Sequence, residues 1–133
     1  MESEEGTRLN KLSEAIIGAA IAVHKELGAG LLESAYQACL AFELRDRGYQ
    51  IEIQKELPVI YRGIRVECGY RLDLIVEGVV VVELKSVEKL DKFHDAQMLS
   101  YLNLSGMKLG LLINFNVLQL VKGIRRLVNN FPS

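Results

Sequence analysis

The chain has few of the residues that build disulfide frameworks, zinc sites or membrane spans. Its 133 residues include two cysteines and two histidines. Cys39 and Cys68 belong to no paired motif, so we expect both to be reduced rather than in a disulfide or a zinc site. The longest apolar run, residues 15–23, is too short to span a bilayer, and the acidic start MESEEG has no signal-peptide pattern. We therefore expect a cytoplasmic protein without membrane contact.

An excess of positive charge is also missing. The net charge is −1, from 16 Lys and Arg against 17 Asp and Glu. This balance argues against a large nonspecific nucleic-acid footprint and leaves only local patches, such as Lys122 with Arg125 and Arg126. Half of the residues are hydrophobic and a quarter are charged, which indicates one globular domain over residues 1–133. We expect residues 1–6 to be a frayed tail.

Hydrophobic spacing predicts two helices, then strands, then a helix between strands. The resulting order, α-α-β-β-β-α-β-β, indicates an α/β (α+β) fold with a mixed central sheet flanked by helices. The predicted elements are a helix from a Thr7 cap to residue 27, a helix at 31–47, strands at 50–61, 64–76 and 79–87, a helix at 92–104 capped by Asp91 or a neighbour, a strand at 108–114, and a closing hairpin from 117–121 and 124–128.

Three charged residues lie in the apolar hairpin of the second and third strands, where burial is costly unless charges are paired or bind a metal. Glu83 and Lys85 share one strand face because side chains alternate. A two-residue turn at Glu77-Gly78 would put Asp73 on the opposite face. An odd loop or a bulge would place Asp73 across from Glu83, and we predict that register. The trio is then either a partly buried salt bridge or a metal site.

Facing carboxylates repel each other unless a cation lies between them. Carboxylate oxygens, completed by a backbone carbonyl and waters, suit Mg²⁺ or Mn²⁺ better than zinc, and the scarcity of histidine agrees. Such a site activates water and neutralises charge on a phosphoryl group. Lys85 would hold the attacking water or stabilise developing negative charge.

Two helices add polar side chains that can face this hairpin. Glu33 projects from the core-facing stripe of the second helix, either because a carboxylate favours the helix N-terminus or because it is aimed at the sheet. His94, Gln97 and Tyr101 share one sector of the third helix. Gln97 either contacts a substrate phosphate or caps backbone groups at the strand edge.

The sequence also resembles a known family. Residues 30–36, GLLESAY, match the G-x-x-E-x-x-Y signature of the GxxExxY proteins. Further similar segments follow in the family's order: YRLDLIVE, VVVVELKSVEKL, HDAQMLSYL, GLLINFN and KGIRRLV. The resemblance covers residues 16–128, and the GxxExxY family is similar to the PD-(D/E)XK nuclease superfamily. It implies a restriction-endonuclease-like core, whose order of helix, three-strand meander, helix and strand agrees with the order above.

The resemblance also implies roles for individual residues. Asp73 matches the metal-binding aspartate, although Leu72 stands before it instead of proline, and Glu83 with Lys85 matches the E-x-K pair. The implied catalytic residues are Asp73, Glu83 and Lys85; the implied metal ligands are Asp73, Glu83, the Leu84 backbone carbonyl and Glu33; and the implied substrate or supporting contacts are Gln97 and Tyr101, as a Q-x-x-x-Y element, with Tyr36 and His94.

These observations give two hypotheses of different classes. The first is a Mg²⁺- or Mn²⁺-dependent nuclease that hydrolyses phosphodiester bonds of nucleic acid. The second is a catalytically silent module of the same fold that binds a protein or nucleic acid. A homodimer through the apolar stripe of the first helix is compatible with either.

Overall fold

The fold is a mixed β-sheet with helices on both faces, as the sequence predicts. The computed structural model describes residues 3–133. Its elements are α1 (Glu4–Leu27), α2 (Glu33–Asp46), β1 (Ile51–Glu56), β2 (Val59–Tyr61), β3 (Ile64–Val66), β4 (Arg71–Val76), β5 (Val80–Lys85), α3 (Lys92–Ser105), β6 (Leu109–Asn114), a 3₁₀ turn (Leu120–Gly123) and β7 (Ile124–Val128).

The central sheet has five strands in the order β1-β4-β5-β6-β7. Strands β5 and β6 are parallel and are connected through α3, and the other neighbours are antiparallel. Strands β2 and β3 form a separate hairpin. Because β1 and β4 are antiparallel, the end of β1 lies beside the start of β4. The β2–β3 hairpin, which follows β1, therefore leaves the sheet at the end where β4 begins and β5 finishes.

Each face of the sheet has its own apolar core. Helices α1 and α2 cover the face that carries Leu74 and Val82, and α3 covers the face that carries Ile75 and Val81. Along β5, Val80, Val82 and Leu84 lie in the core under α1 and α2, while Val81 lies in the core under α3, which is the alternation that strand geometry requires. The apolar stripe of α1 is buried inside this chain, so it does not supply the dimer seam suggested by the sequence.

The first helix starts earlier than predicted. Ser3, rather than Thr7, is its N-cap, and the Ser3 hydroxyl accepts a hydrogen bond from the Gly6 N–H at 2.9 Å. Glu4 and Glu5 occupy the first turn, where carboxylates favour the helix dipole. Residues 4–6 are therefore helical and not a frayed tail, while residues 1–2 of that predicted tail lie outside the described residues. Within residues 3–133, no helix is long and apolar enough to cross a membrane.

The long strands predicted at 50–61 and 64–76 are each divided in two. Pro58, which has no N–H for a ladder, separates β1 from β2, and residues 67–70 separate β3 from β4. The predicted strand at 117–121 is also wrong, because this segment leads into the 3₁₀ turn. Strand β7 instead pairs with β6 at the sheet edge.

The β4–β5 turn has the register that the site requires. Glu77 and Gly78 both adopt positive φ, 53° and 70°, and the Val79 N–H donates to the Val76 carbonyl at 3.0 Å. The ladder nevertheless pairs Val76 with Val80, so Val79 is an extra residue, as in a bulge. The predicted odd offset is confirmed.

The packing of α3 on β6 depends on a residue without a side chain. A Cβ at Gly110 would lie 2.6 Å from the buried Met98 Sδ. We expect Gly110→Ala to lower the free energy of unfolding by about 1–3 kcal/mol, because the α3-side core has no room for a methyl group. In a urea titration, Gly18→Ala is the matched control, since its Cβ meets only Arg47 Nη1 at 3.8 Å. Equal stability of the two variants would contradict this packing.

Candidate metal centre

Strands β4 and β5 separate at a fork that holds the two carboxylates. Their ladder ends at Leu74 and Val82. Beyond this pair, the Asp73 N–H donates to Glu83 Oε2 at 2.8 Å, and the Leu84 N–H donates to Asp73 Oδ2 at 2.8 Å. The two carboxylates therefore replace the backbone acceptors that a continuing ladder would supply, and both lie in the gap between the strands.

The alternation of side chains between the two faces of β4 is also interrupted at Asp73. Residues two apart in a strand normally share a face, but Leu72 packs in the α3-side core and Leu74 in the core under α1 and α2. On the other side of β4, the ladder with β1 is regular except at the position where Gln54 would face Asp73. The backbone is thus irregular around Asp73 on both sides, which allows its carboxylate to reach into the fork.

Glu83 is the buried member of the pair, with only 5% of its surface exposed. Burial, followed by the charge of Asp73, raises the pKa of Glu83 to about 8. The charge of Glu33 acts in the same direction, while the Asp73 N–H and Lys85 oppose the rise. A carboxylate with this pKa lacks sufficient positive charge around it, so the fork favours a proton or a cation.

Lys85 shares the α3-facing side of β5 with Glu83, because Val81 and Val87 both pack in the α3-side core. Its Nζ lies 3.5 Å from Gln97 Oε1 on α3. Across residues 3–133, Lys85 forms no ion pair within 4.0 Å with Asp73 or Glu83. The trio is therefore not the closed salt bridge that the sequence left open as an alternative.

The polar residues of α3 are used in different ways. Tyr101 is nearly buried, and its pKa is raised by burial and then by the charges of Glu83, Tyr70 and Asp73, so its hydroxyl is within electrostatic reach of the fork. Its ring centroid lies 6.0 Å from that of Tyr70. His94 Nδ1 accepts the Asp91 N–H at 3.0 Å in a capping box. A substrate contact for His94 stays a prediction.

Tyr36 fixes the loop that precedes α2. It is fully buried and stacks on Phe115, with 4.4 Å between ring centroids. Its hydroxyl donates to the Gly28 carbonyl at 2.6 Å and accepts the Leu31 N–H at 3.1 Å. The hydroxyl is thus occupied inside the protein, and Tyr36 positions the start of α2 in this structure rather than lining a substrate surface.

Glu33 is the first residue of α2 and is exposed. The loop before it is joined to the end of β5, because the Ser86 hydroxyl donates to the Leu31 carbonyl at 2.6 Å. The charge of Glu33 contributes to the raised pKa of Glu83, which shows that α2 begins within electrostatic reach of the fork. Its place as a third metal ligand stays a prediction.

Two polar residues near the fork were missed by the sequence analysis. Gln54 Nε2 donates to Gln37 Oε1 at 2.6 Å and to Asp73 Oδ1 at 3.2 Å. Asn114 is buried, and its side-chain amide bonds both the N–H and the carbonyl of Val87, at 3.1 and 2.9 Å. An asparagine at the end of an otherwise apolar strand was the available signal for Asn114. An exposed glutamine in a charged edge strand gives no such signal.

The donor set at the fork suits a hard cation. It consists of the Asp73 and Glu83 carboxylates and the Leu84 carbonyl, which points into the fork because its N–H does and both groups of one strand residue face the same side. Within residues 3–133, no three His, Cys, Asp or Glu side chains converge closely enough to hold a metal ion. Mg²⁺ commonly binds through one or two carboxylates plus waters and substrate phosphates, so the pair at the fork fits that chemistry.

Facing carboxylates beside a lysine, on a mixed sheet between helical layers, place the chain in the class of nuclease-like α+β folds. A family model described as the PD-(D/E)XK nuclease superfamily matches residues 10–127. The chain therefore belongs to this superfamily, and the predicted fold class is confirmed. Comparison with curated proteins and with solved structures found no match.

Removing the Tyr36 hydroxyl tests whether it holds the loop that precedes α2. Tyr36→Phe leaves the ring stack intact but deprives the Leu31 N–H and the Gly28 carbonyl of their partner. We expect a loss of about 1 kcal/mol in the free energy of unfolding, the usual net contribution of a hydrogen bond, because both freed groups lie in a loop that water can partly reach. Tyr61→Phe, on an exposed ring, is the control and should be neutral in the same denaturant titration. A neutral Tyr36→Phe would refute the role of the hydroxyl.

The raised pKa of Glu83 predicts how stability depends on pH. The folded chain keeps the Glu83 proton up to about pH 8, whereas the unfolded chain releases it near 4.5. The folded state therefore binds more protons in this window, and Glu83 lowers stability progressively as pH rises from 4.5 to 8 without added metal. Glu83→Gln should flatten this decline and be more stable at pH 8, by on the order of 2 kcal/mol.

Thermal denaturation in a metal chelator, from pH 5 to 8, measures this difference between Glu83→Gln and the parent chain. Glu88→Gln, at an exposed carboxylate, is the control and should follow the parent curve. If Glu83→Gln also followed the parent curve at every pH, the carboxylate would not be the uncompensated group described above.

Proposed function

We propose that this chain is a Mg²⁺- or Mn²⁺-dependent nuclease that hydrolyses phosphodiester bonds in nucleic acid. The observation that carries the proposal is the fork, where Asp73 and Glu83 face each other and Lys85 pairs with neither. The raised pKa of Glu83 supports it, because a divalent cation would supply the missing positive charge. Membership of the nuclease superfamily supports the reaction class.

In this proposal the residues at the fork have two roles, binding the cation and stabilising charge during the reaction. Asp73, Glu83 and the Leu84 carbonyl hold the cation, and Glu33 completes the site from the start of α2. A bound divalent cation would neutralise charge on the phosphodiester and lower the pKa of a bound water. Lys85 lies beside the carboxylates with its Nζ near Gln97, where an ammonium can orient the attacking water or stabilise developing negative charge.

The remaining site residues contact the substrate or support those that do. Gln97 and Tyr101 face the fork from α3, and we propose that they contact the phosphate backbone. We also propose that the chain is of the GxxExxY type, which the Tyr36 clamp on the loop before Glu33 supports. Both cysteines are free, which agrees with activity in the reducing cytoplasm.

A silent binding module is the second candidate. It is favoured by the lack of a third converging carboxylate among residues 3–133 and by the hydrogen bonds that already occupy Asp73 and Glu83. In such a module the carboxylates would only bridge the strands at the fork. The module would bind its partner without metal, and Lys85 would contribute little.

The two candidates differ in their response to substitution at the fork. We expect Asp73→Asn to lose both Mn²⁺ binding and cleavage of single-stranded or duplex DNA or RNA. Lys85→Met should lower the cleavage rate by about 100-fold or more while Mn²⁺ binding changes little, because Lys85 stabilises charge and is not a metal ligand. Calorimetry measures the Mn²⁺ binding and labelled oligonucleotides measure the cleavage rate.

Lys89→Met is the control for Lys85→Met, since Lys89 is exposed and lies four residues beyond it. It should cleave as the parent chain does. Mn²⁺ binding without cleavage of any of these nucleic acids would favour the silent module. Cleavage that survives Asp73→Asn would refute the assigned site.

A further inference from the structure

Gln54 has a backbone conformation that its strand does not require. Its φ is +52°, in the left-handed region that residues other than glycine seldom adopt. The β1–β4 ladder is in one register on both sides of it, with Ile53 opposite Leu74 and Lys55 opposite Leu72. Gln54 alone leaves this register, so the irregularity is local and shifts no other residue along the strand.

The irregularity lies opposite Asp73, the residue at which the side-chain alternation of β4 is interrupted. The displaced Gln54 carbonyl accepts a hydrogen bond from Arg71 Nη1 at 3.4 Å. Its side-chain amide donates to Asp73 Oδ1 at 3.2 Å, while the other carboxylate oxygen, Oδ2, accepts the Leu84 N–H at 2.8 Å. The Asp73 carboxylate is thus held from β1 on one side and from β5 on the other.

The same amide nitrogen also reaches the helical layer. Gln54 Nε2 donates to Gln37 Oε1 on α2 at 2.6 Å, which uses its second hydrogen. Asp73 accepts hydrogen bonds only, so the amide nitrogen must be the atom that faces it. One side chain therefore connects α2, the helix that begins with Glu33, to the carboxylate on β4.

We propose that Gln54 is a positioning residue that fixes the Asp73 carboxylate and sets its place relative to α2. Its importance for metal binding rests on the function proposed above, whereas its hold on Asp73 does not. Partners outside the ligand set commonly tune metal affinity by 10–100-fold. Because Gln54 and Gln37 are near the surface, we expect an effect at the lower end of that range.

Gln54→Gly is the decisive variant, because glycine accepts the positive φ without strain and removes the amide. Two readouts separate positioning from general stability. The hydrogen exchange rate of the Leu84 amide, followed by NMR without metal, should rise about tenfold, since its acceptor Asp73 is less well fixed. The Mn²⁺ dissociation constant should rise by about tenfold, while the melting temperature stays close to that of the parent chain.

Asn130→Gly is the matched control, because Asn130 also has an amide side chain and a positive φ of 52° but lies beyond β7. It should change neither readout. Gln37→Ala removes the other partner of Gln54 and should shift both readouts in the same direction as Gln54→Gly, but less. Parent-like Leu84 exchange in Gln54→Gly would overturn the inference.

The outcomes also separate this inference from the proposed function. Faster Leu84 exchange in Gln54→Gly supports the positioning role whether or not Mn²⁺ binds. If the parent chain bound no Mn²⁺, the proposed function would fail while the Leu84 result still decided the role of Gln54. If the parent chain bound Mn²⁺ and Gln54→Gly bound it equally well, the connection from Gln54 to the metal site would be refuted.

Discussion

The structure depends on one exchange of hydrogen bonds, in which the carboxylates of Asp73 and Glu83 take the place of backbone acceptors between β4 and β5. Buried backbone N–H groups must be satisfied, so two strands can part inside a protein only where something else accepts their hydrogen bonds. Here the groups that open the sheet are the ones that give the fork its negative charge. The geometry of the fork and its chemistry therefore have the same cause.

The position of α2 follows from the direction in which helical side chains lean. They tilt toward the helix N-terminus, so a tyrosine in the first turn covers the loop that precedes its own helix. Tyr36 does this and clamps the Gly28 carbonyl and the Leu31 N–H. Glu33, one turn earlier, is then the first residue after the clamped loop. The spacing of three residues from glutamate to tyrosine thus lets one tyrosine hold the loop from which the exposed Glu33 begins α2, within electrostatic reach of the fork.

Much of this arrangement could be predicted because each part has a local cause. The Asp91 cap of α3 is a local signal and is confirmed. The odd register was predicted because only that register places Asp73 across from Glu83, where a cation could bind between them, and the extra Val79 provides it. Pro58 was a sequence signal for the division of the first predicted strand, whereas the division of the second at residues 67–70 depended on which backbone groups found partners across the sheet. The positive φ of Gln54 could not be predicted, because no local preference favours it in a strand and its partners come from other elements of the fold.

The arrangement of charges finally argues against a purely structural role for the fork. If the trio only closed the sheet, the cheapest arrangement would place the Lys85 ammonium between the carboxylates, because a buried pair is stabilised by a direct partner. Instead, Lys85 Nζ faces the neutral Gln97 amide, and burial together with Asp73 raises the pKa of Glu83 to about 8. The fold thus keeps two carboxylates close, orients them with backbone N–H groups and leaves their charge only partly compensated by Lys85. A closed salt bridge would instead hold the ammonium between the carboxylates, so this arrangement supports the cation site proposed above.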